Sequence, residues 1–92
     1  MNQELLQQYR DQVETIDMEI VYLLSRRFEN VKQIGLLKKE EGIDVHQGNR
    51  WEYLLGNILS EADDKMLESE FIKKVWDLIH EESKKYQKNI DK

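Results

Sequence analysis

The chain contains no proline, and its four glycines leave long stretches without a residue that breaks a helix. In the N-terminal part, apolar side chains recur mostly at steps of three and four, the spacing of an amphipathic helix. They are Leu6, Tyr9, Val13, Ile16, Ile20, Leu23, Leu24, Val31 and Ile34. No breaker precedes Gly42 except the lone Gly35, and Gly42 can end a helix because glycine adopts positive φ without strain. The pattern predicts a first helix from about residue 4 to about residue 40, roughly 55 Å long.

Two shorter helices are predicted after a loop at 42–48. Asn49, followed by Glu52, fits a capping box that opens the second helix. Its apolar positions are Trp51, Leu54, Leu55, Ile58, Leu59 and Ala62. A third helix is expected to start at Glu68 or Ser69, and the tail 88–92 is expected to fray. Its expected inward face comprises Phe71, Ile72, Val75, Trp76, Leu78, Ile79 and Tyr86. The prediction is an all-α fold with one long helix and two shorter ones, in a single domain over residues 1–92.

Composition excludes several classes of protein. Ninety-two residues suffice for one domain with a modest core. The absence of cysteine excludes disulfides and thiolate chemistry, and a net charge of -5 argues against a nucleic-acid partner. The apolar runs are too short for a membrane span, and the N-terminus lacks the pattern of a secretion signal. We therefore expect a soluble, cytoplasmic domain.

The long first helix predicts self-association. Two short helices of the same chain cannot cover its whole apolar stripe, and an exposed stripe of this length is a liability in a monomer. Pairing with a second copy of the chain would cover it. We therefore expect a homodimer.

Several polar residues stand where the helical pattern calls for an apolar one. Arg27 interrupts the stripe of the first helix, and Lys38, eleven residues later, returns to within about 20° of it. On the second helix Arg50 precedes the inward Trp51. Buried charges are costly unless a counter-charge is present, so cations gathered on a covered face predict an anionic ligand. Arginine forks suit carboxylates especially well.

Arg10 gives a geometric reason for two chains at one site. It precedes Arg27 by seventeen residues, which is roughly 25 Å along a helix. The two side chains of one copy therefore cannot hold the same small ligand. In an antiparallel pair of long helices crossing near residue 21, Arg10 of the partner copy would lie beside the stretch between Arg27 and Lys38. We expect Arg10 to be contributed across the dimer.

An ordered set of motifs resembles the all-helical (type II) class of chorismate mutases, over about residues 5–88. The first block, from Leu6 to Asp17, reads Leu-x-x-x-Arg-x-x-Val-x-x-Ile-Asp. Ile20-Val21-x-Leu23-Leu24-x-x-Arg27 and Ile34-Gly35-x-x-Lys38 follow on the first helix. Arg50 comes from the second helix, and the third carries Phe71-Ile72 and then Ile79-His80-Glu81-x-Ser83-x-x-x-Gln87. Each block is common among helical proteins, whereas the ordered set without gaps is specific.

The resemblance implies an intertwined homodimer that converts chorismate, a dianion, to prephenate for phenylalanine and tyrosine biosynthesis. The reaction is a Claisen rearrangement that uses no metal and no cofactor. Lys38 and Gln87 would donate to the ether oxygen and, with Arg27, would be the catalytic residues. Arg27, Arg50 and the partner copy's Arg10 would bind the carboxylates, and Ser83 would assist binding. The implied substrate-binding set is Arg10, Arg27, Lys38, Gln47, Arg50, Trp51, Ser83 and Gln87.

The chain departs from the family pattern at two of these positions. Gln47 stands where the family commonly has an acidic residue, and Trp51 where it has a Glu that accepts a hydrogen bond from the ring hydroxyl of the substrate. Tryptophan cannot accept such a bond. Three alternatives stay open: an isochorismate-pyruvate lyase, a mutase acting on an aminated chorismate analogue, and a helical dimer without catalytic activity. His46 and His80 are expected to have no catalytic role and to bind no metal.

Overall fold

The computed structural model describes residues 2–42 and 49–90, and the regular structure in that part of the chain is entirely helical. The helices are α1 (Asn2–Glu41), α2 (Arg50–Asp64) and α3 (Ser69–Ile90). The predicted all-α class, with one long and two shorter helices, is confirmed. No helix in these two described ranges is both long enough and apolar enough to cross a membrane.

The ends of α1 and α3 follow the sequence signals closely. Gly42 adopts a φ of 69° directly after α1, as expected for a residue that ends a helix. α3 begins at Ser69, which is one of the two predicted starts. α3 continues to Ile90, into the tail that was expected to fray.

The predicted capping box at the start of α2 is wrong, although α2 does begin at Arg50. The backbone of Asn49 is helical, with φ −92° and ψ −6°, and its side chain makes no capping hydrogen bond. A capping side chain reaches the first free N–H groups from an extended backbone, which Asn49 does not have. Asn49 instead contributes its carbonyl, which accepts a 3.1 Å hydrogen bond from the N–H of Tyr53.

α2 ends in a Schellman motif that the sequence did not reveal. Met66 takes a left-handed conformation with φ 61°. Its N–H donates to the carbonyl of Asp63 at 3.0 Å, and the N–H of Leu67 donates to that of Ala62 at 2.8 Å. These two bonds are the pair that defines the motif. They cap α2 and set the direction in which the chain enters α3.

The chain divides into two compact units, Met1–Asn30 and Val31–Lys92. In the second unit α2 packs against α3, and Val31, Ala62 and Ile72 are buried. Two residues predicted to face inward do not: Phe71 is 60% exposed and Leu78 is 72% exposed. Both lie about 100–120° around α3 from the buried Ile72, which turns them away from α2.

The described residues of the first unit all belong to α1, and their apolar stripe is open to solvent. Leu6 is 47% exposed, Val13 57% and Ile20 49%. These values are high for large apolar side chains in a row along one helix.

Candidate active site

Two consecutive lysines near the end of α1 have different surroundings. Val31 and Gly35 are buried, and Lys38, which continues their row at the three-four spacing, is half-buried. Lys39 is exposed. Because successive residues of a helix point about 100° apart, only the first of the two lysines shares the covered face. The structure thus places Lys38 on the covered face of α1, where the sequence predicted it.

The first two residues of α2 combine a cation with an aromatic ring. Arg50 is exposed, and Trp51 is half-buried. The indole of Trp51 stacks on the imidazole of His80 from α3, with 3.9 Å between the ring centroids and 13° between the ring planes. Trp51 therefore contacts α3 through its ring. It stands where the family that the motifs resemble commonly has a carboxylate.

The predicted polar residues of α3 lie on one face together with His80. His80, Ser83 and Gln87 follow at spacings of three and four, which keeps them within about 60° of one another. Ser83 is buried at 7% exposure, and its hydroxyl donates a 2.9 Å hydrogen bond to the carbonyl of Ile79. Gln87 is half-buried. The face therefore begins with an aromatic contact and continues with hydrogen-bonding groups.

The unit Met1–Asn30 carries the other two predicted arginines, far apart along α1. Arg10 is exposed, within the row of exposed apolar residues. Arg27 is half-buried, and burial lowers the pKa of its guanidinium below the ordinary value. Arginine keeps its proton in proteins, so the guanidinium stays charged. Arg27 is therefore a permanent cation held partly out of water.

The structure brings some of the predicted residues together and adds one. It joins Trp51 to α3 and aligns Ser83 with Gln87, whereas Arg10 and Arg27 are separated by the length of seventeen residues. Gln47 lies outside the described residues. The added residue is His80, which was expected to have no catalytic role and which packs against Trp51. Its spacing to Ser83 and Gln87 was the signal that could have drawn attention to it.

A shallow apolar groove lies at the far end of α2 from Arg50. Its lining includes Ile58, Ala62, Leu67, Ile72 and Trp76. The charged residues there are Glu61 and Lys65, which pair with each other. The hydrogen bond from Lys65 lowers the pKa of Glu61. Because Lys65 already has a carboxylate partner, this groove is poorly suited to a dianion.

No three of the His, Asp and Glu side chains in residues 2–42 and 49–90 come together in a group that could hold a metal ion. The polar residues described above are instead donors and cations, which suit an anionic organic molecule.

Comparison with known families defines the class of this protein. The family model for chorismate mutase type II matches residues 9–88, which include parts of all three helices and every predicted site residue. By fold and by this match, the chain is an all-helical isomerase. It belongs to the chorismate mutase type II family, and the resemblance seen in its motifs is confirmed. No curated protein and no solved structure matches the chain significantly.

Proposed function

We propose that this protein converts chorismate to prephenate in the cytoplasm, for phenylalanine and tyrosine biosynthesis, and that residues 1–92 act as one domain. The observation that carries the proposal is the family match over residues 9–88, within which all the expected cations and the amide of Gln87 are present. The reaction is a rearrangement inside one molecule. The ether C–O bond breaks while a C–C bond forms, with no external nucleophile and no proton transfer.

Such a reaction needs confinement and charge stabilisation. A flexible substrate must be held in its reactive conformer, and donors must face the oxygen on which negative charge develops. Lys38 and Gln87 are the proposed donors to this ether oxygen. The half-burial of both residues supports the assignment, because a donor partly shielded from water interacts more strongly with developing charge.

The arginines are the proposed ligands of the two substrate carboxylates. Arg27 and Arg50 act from one copy, and Arg10 acts from the other. The partly desolvated guanidinium of Arg27 supports this role, because a cation removed from water gains from an anionic ligand. Ser83 and Gln47 complete the proposed binding set.

A homodimer is part of the proposal. The support for it is the exposed apolar stripe of α1, with Leu6, Val13 and Ile20 each about half-exposed in the single chain. An isologous pair would cover this stripe and supply two equivalent sites. The separation of Arg10 from Arg27 along α1 is the reason to expect that each site draws on both copies.

The identity of the substrate depends on Trp51. The family's Glu at this position accepts a hydrogen bond from the ring hydroxyl, and the indole stacked on His80 has no acceptor to replace it. Isochorismate lacks a hydroxyl at that ring carbon, so this stack favours an isochorismate-pyruvate lyase as the second candidate. A mutase acting on an aminated chorismate and a non-catalytic dimer are the remaining alternatives.

One assay separates these candidates. Purified protein is incubated with chorismate or with isochorismate, and the products are identified as prephenate, or as pyruvate plus salicylate. Prephenate from chorismate supports the proposal, and pyruvate from isochorismate alone would replace it with the lyase. Absence of turnover with both would leave the aminated substrate or the non-catalytic dimer.

The same assay on Trp51→Glu tests the orientation of this position. Compared with Trp51→Ala, which also lacks the indole, restoring a carboxylate should raise kcat/KM on chorismate severalfold, about the value of one hydrogen bond to a neutral group. Tyr53→Glu introduces the same charge two residues later at an exposed position, and it should leave the activity unchanged.

A further inference from the structure

The Trp51–His80 stack occupies the same face of α3 as two residues of the proposed site. His80 lies about 4.5 Å along the helix axis from Ser83 and about 10.5 Å from Gln87, and the three lie within about 60° of one another around the helix. On the α2 side the stack includes the residue next to Arg50. The two rings therefore stand at one end of the row of hydrogen-bonding groups, between α2 and α3.

The geometry of the pair restricts the indole. With 3.9 Å between centroids and 13° between planes, the two rings overlap in van der Waals contact. Both residues are half-buried, so part of the pair remains accessible. A tryptophan side chain rotates about two bonds, and a ring lying flat against its face removes most of that freedom.

We infer that the Trp51–His80 stack forms one wall of the substrate site and that His80 is the positioning residue that holds Trp51 in it. This inference rests on the proposed function. The wall is planar and apolar, and its indole can donate a hydrogen bond but cannot accept one. It therefore suits the flat face of an unsaturated ring in a dianion whose carboxylates are bound by the arginines.

The inference is tested with His80→Ala and His80→Phe, each made in a Trp76→Phe background so that Trp51 is the single tryptophan. We expect His80→Ala to raise KM for chorismate about two- to tenfold, the range of one aromatic pair, with kcat changed less. Quenching of Trp51 fluorescence by acrylamide should increase at the same time. His80→Phe keeps a ring in the stack and should restore both quantities.

Tyr53→Ala is the matched control, because it removes an exposed aromatic ring from the same turn of α2. It should change neither KM nor quenching. An unchanged KM in His80→Ala would overturn the inference even if quenching increased. Failure of His80→Phe to restore KM would also overturn it, because a ring at position 80 would then not be what matters.

Calorimetric titration of each variant with chorismate separates this inference from the proposed function. If the parent protein binds chorismate without turnover and His80→Ala weakens the binding, the mutase proposal fails and the wall stands. If turnover is present and neither KM nor the dissociation constant changes in His80→Ala, the inference about the wall is overturned and the mutase proposal stands. A parent protein that neither binds nor converts chorismate overturns both.

Discussion

Lys38 and Lys39 are consecutive in α1, yet only Lys38 lies on the face that also carries the buried Val31 and Gly35. The pair is a natural matched control. We expect Lys38→Ala to lower kcat about 100- to 1000-fold, the effect of removing one donor from a developing oxyanion. Lys39→Ala, with the same loss of charge, should stay within about twofold of the parent protein. Steady-state kinetics on both variants checks this, and equal losses would contradict the role of Lys38.

Arg26 and Arg27 form a second such pair. The guanidinium of Arg26 lies over the ring of Tyr22, 5.8 Å from its centroid, whereas that of Arg27 is partly desolvated. We expect Arg27→Lys to raise KM about ten- to a hundredfold, because lysine keeps the charge but loses the planar fork that matches a carboxylate. Arg26→Lys should leave KM unchanged. Loss of affinity in Arg26→Lys alone would reverse the assignment.

Gln87→Ala should lower the rate far more than the affinity. An amide that donates to the ether oxygen binds most strongly when the C–O bond is breaking, so its removal acts on kcat rather than on KM. We expect kcat to fall about 100-fold and KM to change less than threefold. Lys84→Ala, at an exposed position of the same helix, is the control. A KM effect larger than the kcat effect would make Gln87 a binding residue instead.

Mixing two inactive variants tests whether Arg10 acts across the dimer. Arg10→Ala and Lys38→Ala each damage both sites of their own homodimer. In a mixed dimer, one site would combine the intact Arg10 of one copy with the intact Lys38 of the other. Random exchange of equal amounts makes about half of the dimers mixed, so activity should recover to about one quarter of the parent value.

The contrary outcome of the mixing experiment is equally clear. If Arg10 and Lys38 serve the same site from one copy, no mixed dimer contains an intact site and the mixture stays inactive. Mixing Lys38→Ala with Gln87→Ala provides the control. The proposal assigns both of those residues to the same copy, so this mixture should stay at the level of the separate variants.

Met66→Gly should stabilise the fold without changing activity. Met66 has a φ of 61°, a left-handed conformation that its Cβ makes unfavourable. Its side chain is 93% exposed and therefore contributes little packing in return. Glycine removes that strain, and the greater freedom of the unfolded chain offsets part of the gain. We expect the free energy of unfolding to increase by about 0.5–1 kcal/mol, measured in urea at a fixed protein concentration. A lower stability would show that the thioether makes a contact that matters.

The helices were predictable because the signals that specify them are local. The three-four periodicity from Leu6 to Ile34, the lack of proline and the position of Gly42 determine α1 with no knowledge of the rest of the chain. The cap at Asn49 was not predictable in this way. The residue types permitted a capping box, but they do not fix the backbone conformation of Asn49, which decides whether its side chain can reach back.

The candidate site shows the same limit. Lys38 could be placed on the face of Arg27 because a spacing of eleven residues fixes the angle between them on one helix. The stack of Trp51 on His80 joins residues 29 positions apart, and it depends on the angle at which α3 returns along α2. That angle follows from the left-handed turn at Met66, a conformation that methionine gives no reason to expect. Contacts between helices therefore could not be predicted from the sequence pattern, whereas positions on a single helix could.

The open stripe of α1 has a consequence for how the active protein accumulates in a cell. If a second copy covers Leu6, Val13 and Ile20, much of the apolar burial is gained only when two chains meet. Maturation is then second order in newly made chains, so doubling the rate of synthesis would more than double the rate at which finished enzyme appears while assembly is limiting. At low expression, a chain waiting for its partner would be exposed to proteases for longer, and the abundance of the enzyme would respond steeply to transcription.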